Sequence, residues 1–414
     1  MLKKAAILFI VLFFAFVKTG MCTVIHVQQN GAVATIKQGL VSAKDGDTII
    51  VHAGEYHEQN ILINKKIYLK GIDKPVLDGD KKYEILTVHS NDVVIEGFTI
   101  RRTGFSSLNE LAGIKIFNSK NVIIKNNIFN EIYFGVYLQG SISCTIKDNE
   151  MNGNGGTETT SGDGIHCWKS DSLQITHNSI KNFRDGIYLE FVTASLIWRN
   201  TSEKNIRYGL HFMTAHNNAY ITNVFRYNGA GVAVMYTHGV KMFNNYFENN
   251  KGDAAFGLLL KEITDSNISG NHFINNTSGI FMEGGNRILV EHNLFKNNGW
   301  ALKIEANCSD VAVSNNNYIA NTFDISTNGS LVLNTFNNNY WDKYEGYDIN
   351  KDNIGDVPYR PVSMYSMLVE QNPTLMMLYR SFITTLIDKT EKVLPSLIPE
   401  DLIDNSPLMK PLPL

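Results

Sequence analysis

From about Val93 the chain repeats one alternation of apolar and polar positions. A short apolar strand leads to an Asn, then a large apolar residue two places on, a few polar residues, and a Gly ahead of another short apolar strand. VIIKNNIF, SLQITHNSI, VKMFNNYF and ILVEHNLF are copies of the first half. Asn recurs at 127, 149, 178, 200, 223, 245, 271, 293, 316 and 339, and Gly at 113, 135, 164, 186, 209, 231, 257 and 279. Both series step by 22 or 23 residues and widen at the same two places, to 29 and 26, so they report one register with two insertions. A period of this size, with two or three strands in each, is one turn of a solenoid. The pattern predicts an all-β fold, a right-handed parallel β-helix with coils of about 22 residues.

Within the strand after each Gly, side chains alternate between the two faces. Offsets +1 and +3 are apolar and face inward: Ile187 and Leu189, Leu210 and Phe212, Val232 and Val234, Leu258 and Leu260. The repeated Asn side chains are expected to hydrogen-bond from coil to coil. The Asn and Gly residues also read as turn formers, since Gly takes positive φ freely and Asn tolerates it. The aromatics at 129, 225, 247, 273, 295, 318 and 340 read as an interior stack.

Both ends depart from the repeat. Residues 35–44 read as a short amphipathic N-terminal cap helix, followed by a strand over Thr48–His52, which would cover the open end of the stack. After Trp341 the repeat stops. Asn372-Pro373 signals a helix, with Asn as N-cap and Pro at N1, running to about Val393. Its apolar face is expected either to cap the C-terminal end of the solenoid or to dock a membrane partner. The organisation is therefore a signal peptide over 1–22, a parallel β-helix with its cap over 23–362, and a helical and extended docking tail over 363–414.

The signal-peptide reading rests on Lys3 and Lys4 followed by an apolar run from Ala5 to Val17, too short to span a bilayer. Gly20 and Cys22 suit a cleavage site before Thr23, and lipidation of Cys22 is the alternative. Removing 1–22 takes away three lysines and no acid, moving the formal net charge from −3 to −6. A mildly acidic exported chain is a poor nucleic-acid binder. Cys144, Cys167 and Cys308 are odd in number and widely spaced, which fits neither a disulfide framework nor a zinc site.

Candidate chemistry sits on the outward positions. Offset +4 from Gly reads Gln139, Trp168, Glu190, Met213, Met235, Lys261 and Glu283, and offset +7 reads Ile142, Asp171, Thr193, His216, His238, Thr264 and Asn286. Two adjacent coils thus share Met-x-x-His in one register. Coils stack about 4.8 Å apart, so Met213, Met235, His216 and His238 are expected on one patch, with His211 at offset +2 beside it. Thioether and imidazole together suit Cu(I). The same residues also read as plain surface decoration, or as a docking surface, because Met adapts to many partners. Asp348, Asn350, Asp352 and Asp356 place oxygens at alternate positions like the start of a calcium loop, but Asn353 and Tyr359 stand where an EF-hand needs Gly and Glu; an Asx-rich turn is the other reading. His52, His57 and His166 read as cap or surface residues. A β-helix polysaccharide lyase or hydrolase, or a carbohydrate-binding protein, is the alternative function, resting on Asp163, His166, Arg184 and Asp185. Two carboxylates flanking a scissile bond would be required of a hydrolase, whereas Asp-Gly pairs serve equally as turns.

The runs Gly257-Leu-Leu-Leu-Lys-Glu-Ile, Glu283-Gly-Gly-Asn-Arg-Ile, Asn298-Gly-Trp-Ala, Asn339-Tyr-Trp-Asp-Lys-Tyr-Glu-Gly-Tyr-Asp, Gly355-Asp-Val-Pro-Tyr-Arg-Pro and Pro407-Leu-Met-Lys-Pro resemble the NosD family of periplasmic nitrous oxide reductase maturation proteins. The resemblance covers nearly the whole mature chain. It implies a periplasmic, non-enzymatic partner of an ABC-type permease and ATPase, a lipoprotein copper chaperone as donor of Cu(I), and the copper centres of nitrous oxide reductase as its destination. No ligand residue is carried over from the family.

Overall fold

The computed structural model describes residues 22–106, 108–329, 333–393 and 402–414. Residues 1–21, which hold nearly all of the expected signal peptide 1–22, lie outside the described residues. Strands of successive coils pair in parallel, in a 25-stranded and a 13-stranded sheet that enclose one continuous core from Val27 to Leu402. All eight inward residues named for the four coils from Gly186 to Gly257 are fully buried. Inside, Phe247, Phe273, Phe295, Tyr318 and Trp341 stack nearly parallel, with centroids 4.6, 4.9, 4.9 and 4.1 Å apart. The stack ends on Trp341 and not on Tyr340, which lies on the other face of the strand opposite Asn317. The rule is Asn plus two, and Asn339 plus two is Trp341.

The repeated Asn residues form a ladder through the interior. Asn245 donates its N–H to Asn271 Oδ1 (2.9 Å), and its own Oδ1 accepts the N–H and Nδ2–H of Asn223 (2.9 and 3.0 Å). These Asn residues do not hold the positive φ expected of them. That conformation falls on the residue before each one, including His177, Arg199, Thr222 and Asn244, where the chain turns the corner and leaves the Asn side chain pointing inward. The register Gly residues also have ordinary φ values. They are small because coils touch there: a Cβ on Gly231 would sit 2.4 Å from Gly257 O. A second ladder, Asn205, Asn228, Asn250, Asn276, Asn298 and Asn321, runs beside the first, as in the Asn228 N–H bond to Asn250 Oδ1 (3.0 Å). Its signal was present in the sequence as a further Asn five residues after each of six ladder Asn residues.

The N-terminal helix forms over Ile36–Ser42, with a capping box between Thr35 and Gln38, and buries Ile36, Gly39 and Leu40. The tail differs from its prediction. A helix over Met364–Gln371 begins at the Ser363 cap, a 3-10 turn covers Pro373–Leu378, and a further helix covers Phe382–Val393. Arg380 at φ 62 breaks the single helix that Asn372-Pro373 suggested. The first of these helices lies against the flank of the last coils, packing Tyr365 and Val369 on Phe323 and pairing Glu370 with Lys303 (2.8 Å). The C-terminal end of the stack is covered by Val362 and Leu402, both fully buried, and by residues 402–412, which return to the solenoid. Met377 (85% exposed) and Phe382 (81%), with Ile383 and Leu386, remain open to solvent.

Candidate functional site

The outer face of the coils beginning at Gly209 and Gly231 carries the Met and His residues. Strands Tyr208–Met213 and Ala230–His238 pair with Met213 opposite Met235 and His211 opposite Ala233. Both thioethers are partly exposed, bounded by Glu190 on the coil before and Lys261 on the coil after. Beyond Met213 and Met235 the chain turns through Thr214 (φ 51) and Tyr236 (φ 54), and His216 and His238 follow. Their rings stack 4.0 Å apart at 17°. The backbone N–H of His238 donates to His216 Nδ1 (3.3 Å), so that nitrogen is an acceptor already in use. Partial burial, reinforced by the neighbouring His238, lowers the His216 pKa below the ordinary histidine value. Two aromatics rim the patch on the corner positions, Phe191 (46% exposed) and Tyr236 (49%). Bulky side chains at positive φ are uncommon, and here they project into solvent.

His211 departs from the expectation of an exposed neighbour. It points to the outer face, as alternation requires, but is only 4% exposed because the rings of Tyr188 and Tyr208 pack on it at 4.6 and 4.8 Å. Its Nδ1 faces Asp185 Oδ2 at 3.4 Å, and its Nε2 is buried with no hydrogen-bond partner. Two coils earlier, at the same offset, His166 Nδ1 lies 2.8 Å from Oδ2 of Asp163 in its own coil.

Asp163 and Asp185, the carboxylates of the glycan-processing alternative, are both buried and committed. Arg184 Nη2 donates to both oxygens of Asp163 (3.0 Å each), while Asp185 accepts the Tyr208 N–H (3.2 Å) and has Arg207 Nε at 3.9 Å. A carboxylate already neutralised by a guanidinium is badly placed as a general acid or nucleophile. In the 348–356 loop, Asp348 accepts backbone N–H groups of Lys351, Asp352 and Asn353, Asp352 accepts from Ile354, and Asp356 from Ile349. These oxygens close Asx turns on their own loop. His52 Nε2 lies 2.9 Å from His26 Nδ1. Among the described residues, His57, Asp78 and Asp80 bring their ligand atoms within 4.8 Å of one another, but Arg101 and Arg102 both bond the buried Asp78 and supply its countercharge. Cys144, Cys167 and Cys308 are buried free thiols, and burial raises the pKa of each.

Comparison with known proteins adds to this geometry. Residues 148–354 match the family described as periplasmic copper-binding protein (NosD), and residues 20–164 match the right-handed β-helix region. The chain is 27% identical over 379 residues to the probable ABC transporter binding protein NosD of Stutzerimonas stutzeri, covering 86% of each chain. It is 26% identical over 393 residues to the protein of the same name from Pseudomonas aeruginosa, covering 90% of each. Among solved structures, the periplasmic alginate epimerase AlgG superposes with a TM-score of 0.54 at 14% identity, over 76% of this chain and 82% of that one. Dettilon tailspike protein superposes at 0.56 and 11% identity, over 75% and 70%. These two likenesses are likenesses of fold. Among the described residues no helix is long and apolar enough to cross a membrane.

Proposed function

Because the chain belongs to the NosD family of periplasmic copper-binding proteins, we propose that it accepts Cu(I) on the outer patch of Met213, Met235, His216 and His238 and works beside an ABC-type transporter to supply the copper centres of nitrous oxide reductase. The observation that carries this reading is the register: two thioethers and two imidazoles repeat at the same offsets on adjacent coils, with the imidazoles 4.0 Å apart. Soft thioethers favour Cu(I) over harder divalent ions. Phe191 and Tyr236 give the patch an aromatic rim, which suits contact with a protein that delivers the ion, such as a lipoprotein copper chaperone. The Arg-paired burial of Asp163 disfavours the alternative of a polysaccharide lyase or hydrolase.

The test is anaerobic Cu(I) titration of residues 23–414 against a competing chelator, beside a variant with Met213→Leu, Met235→Leu, His216→Ala and His238→Ala. The variant is expected to bind at least roughly tenfold more weakly with an unchanged circular dichroism spectrum. Equal affinity in the two proteins would overturn the assignment of the patch.

The same reading gives the tail a partner. The exposed apolar residues Met377, Phe382, Ile383 and Leu386 form the surface that docks the periplasmic side of the permease. Phe382→Ser, Ile383→Ser and Leu386→Ser together are expected to abolish co-purification with the permease and ATPase while leaving the thermal midpoint of the β-helix in place. Full retention of the complex would remove the tail helix from the interface.

A further inference from the structure

Outer-face rings line offset +2 from Tyr137 through His166 and Tyr188 to His211, with His166 and Tyr188 edge-on and the other two pairs stacked, and there the row stops. Tyr137 lies 5.0 Å from His166, His166 lies 4.8 Å from Tyr188, and Tyr188 lies 4.6 Å from His211. The next rung is Ala233. One side of the His211 imidazole therefore faces a methyl group where every lower rung has a ring.

His211 is also the imidazole whose nitrogens are already sorted for metal binding. A carboxylate facing Nδ1 places the proton on that nitrogen and leaves Nε2 as a lone pair, the arrangement found behind most metal-ligating histidines. Nε2 is buried and has no hydrogen-bond partner. A buried acceptor left unpaired is unfavourable, and a cation resolves it. His216 is sorted the opposite way, since the His238 N–H occupies its Nδ1.

His211 differs from His166, at the same offset two coils earlier, in its unpartnered Nε2 and in the residue two places along the same face. There His166 has Trp168, whereas His211 has Met213, with Met235 one rung above beside Ala233. Two residues along a strand is about 6.6 Å and one rung about 4.8 Å. Both distances are within the reach of flexible methionine side chains folding over a methyl group.

We infer that His211 Nε2, Met213 Sδ and Met235 Sδ form an inner Cu(I)-holding site, distinct from the His216/His238 pair, which makes first contact with the ion at the exposed corner. The inference rests on the copper reading above and divides its patch into an entry half and a holding half. Binding exchanges the donor's ligands for two thioethers and one imidazole. Copper remains Cu(I), the Nδ1 proton stays directed at Asp185, and no proton or electron is released. The holding half is screened from water by the rings of Tyr188 and Tyr208.

The experiment is copper K-edge X-ray absorption together with chelator competition on the Cu(I)-loaded mature chain, comparing His211→Gln, the matched control His166→Gln, the pair Met213→Leu and Met235→Leu, and the pair His216→Ala and His238→Ala. The native chain is expected to show sulfur scattering with one imidazole. His211→Gln should lose the imidazole signature and bind at least roughly tenfold more weakly, and the methionine pair should lose the sulfur scattering. His166→Gln should keep the native spectrum and affinity, whereas the His216/His238 pair should take copper from the chelator more slowly while keeping the sulfur scattering and the imidazole signature. The methionine pair is partly exposed and provides a readout independent of whether His211→Gln folds. Native affinity and spectrum in His211→Gln, with loss in the His216/His238 pair, would overturn the inner site and leave copper binding at the corner. No Cu(I) binding by the native chain would overturn the copper reading itself, and the inner site with it.

Discussion

Asn245→Ala is expected to lower the stability of residues 23–414 by about 3–5 kcal/mol, read as a shift of the urea midpoint, although it removes only an amide and opens no aromatic cavity. Asn245 Oδ1 accepts both the backbone N–H and the Nδ2–H of Asn223, and its Nδ2 donates to Tyr220 O (2.9 Å) and Asn271 Oδ1 (3.0 Å). All of these atoms are buried. Alanine would leave the Asn223 backbone N–H without its acceptor and take the amide donor from the Tyr220 carbonyl, while the Asn223 Nδ2–H groups keep Ile197 O (3.0 Å) and Ile221 O (3.1 Å); each buried group left unpaired costs about 1–3 kcal/mol. Because a solenoid is a chain of nearest-neighbour interfaces, the loss should also separate the unfolding of coils on either side of Asn245, visible as a broadened transition. A midpoint shift below about 1 kcal/mol would mean that water replaces the amide.

The second large effect lies at the far end of the same ladder. Asn339 is the last Asn, and the place of the next rung is taken by Asp404, whose Oδ2 accepts the Asn339 N–H (3.0 Å), the Asn339 Nδ2–H (3.0 Å) and the Trp341 Nε1–H (3.1 Å). Asp404 is fully buried, and nearby Leu408 returns its N–H to Asn339 O (2.9 Å). Asp404→Ala removes the acceptor of three buried donors at once and is expected to destabilise by about 3–5 kcal/mol, detaching residues 402–412 and exposing the last coil to protease. Asp404→Asn should be far milder, by about 1 kcal/mol or less, because an Asn fills this place on every lower rung. If the two variants behaved alike, the acceptor role would be wrong. This terminal segment therefore serves the fold, whereas Met377, Phe382, Ile383 and Leu386 ahead of it stand exposed.

The Met and His patch was legible because a β-helix repeats its side-chain directions every coil, so Met213 and Met235 had to meet once the Gly register was known. Tyr340 shows how narrow that legibility is: a displacement of one residue exchanges inside for outside, and the interior aromatic is Trp341. Asn and Gly were legible by position, and the Asn ladder was legible as a ladder; the turn-forming role expected of both was misjudged. Turn statistics assign them positive φ, yet the corners fall one residue earlier, and the Asn and Gly are needed for an internal hydrogen-bond ladder and for the close approach of neighbouring coils. The second Asn ladder had a sequence signal too, shorter than the first: an Asn five residues on in each of the six coils from Asn200 to Asn316.

Local periodicity fixes what a residue faces when the partner is the same position one turn away, and so the sequence by itself determined the β-helix, its register, the apolar interior, the N-terminal cap helix and the stacking of Met213 on Met235 and of His216 on His238. Contacts between positions unrelated by that period were decided by the tertiary structure alone. Asp404 reaches across 65 residues to Asn339, the helix Met364–Gln371 sits on the flank of the last coils, and Asp185 holds His211 from 26 residues away while Tyr208 packs against it from its own strand. Such contacts depend on where the chain goes after it leaves the repeat and on the packing of side chains of different size on one face, and no repeat in the sequence encodes either.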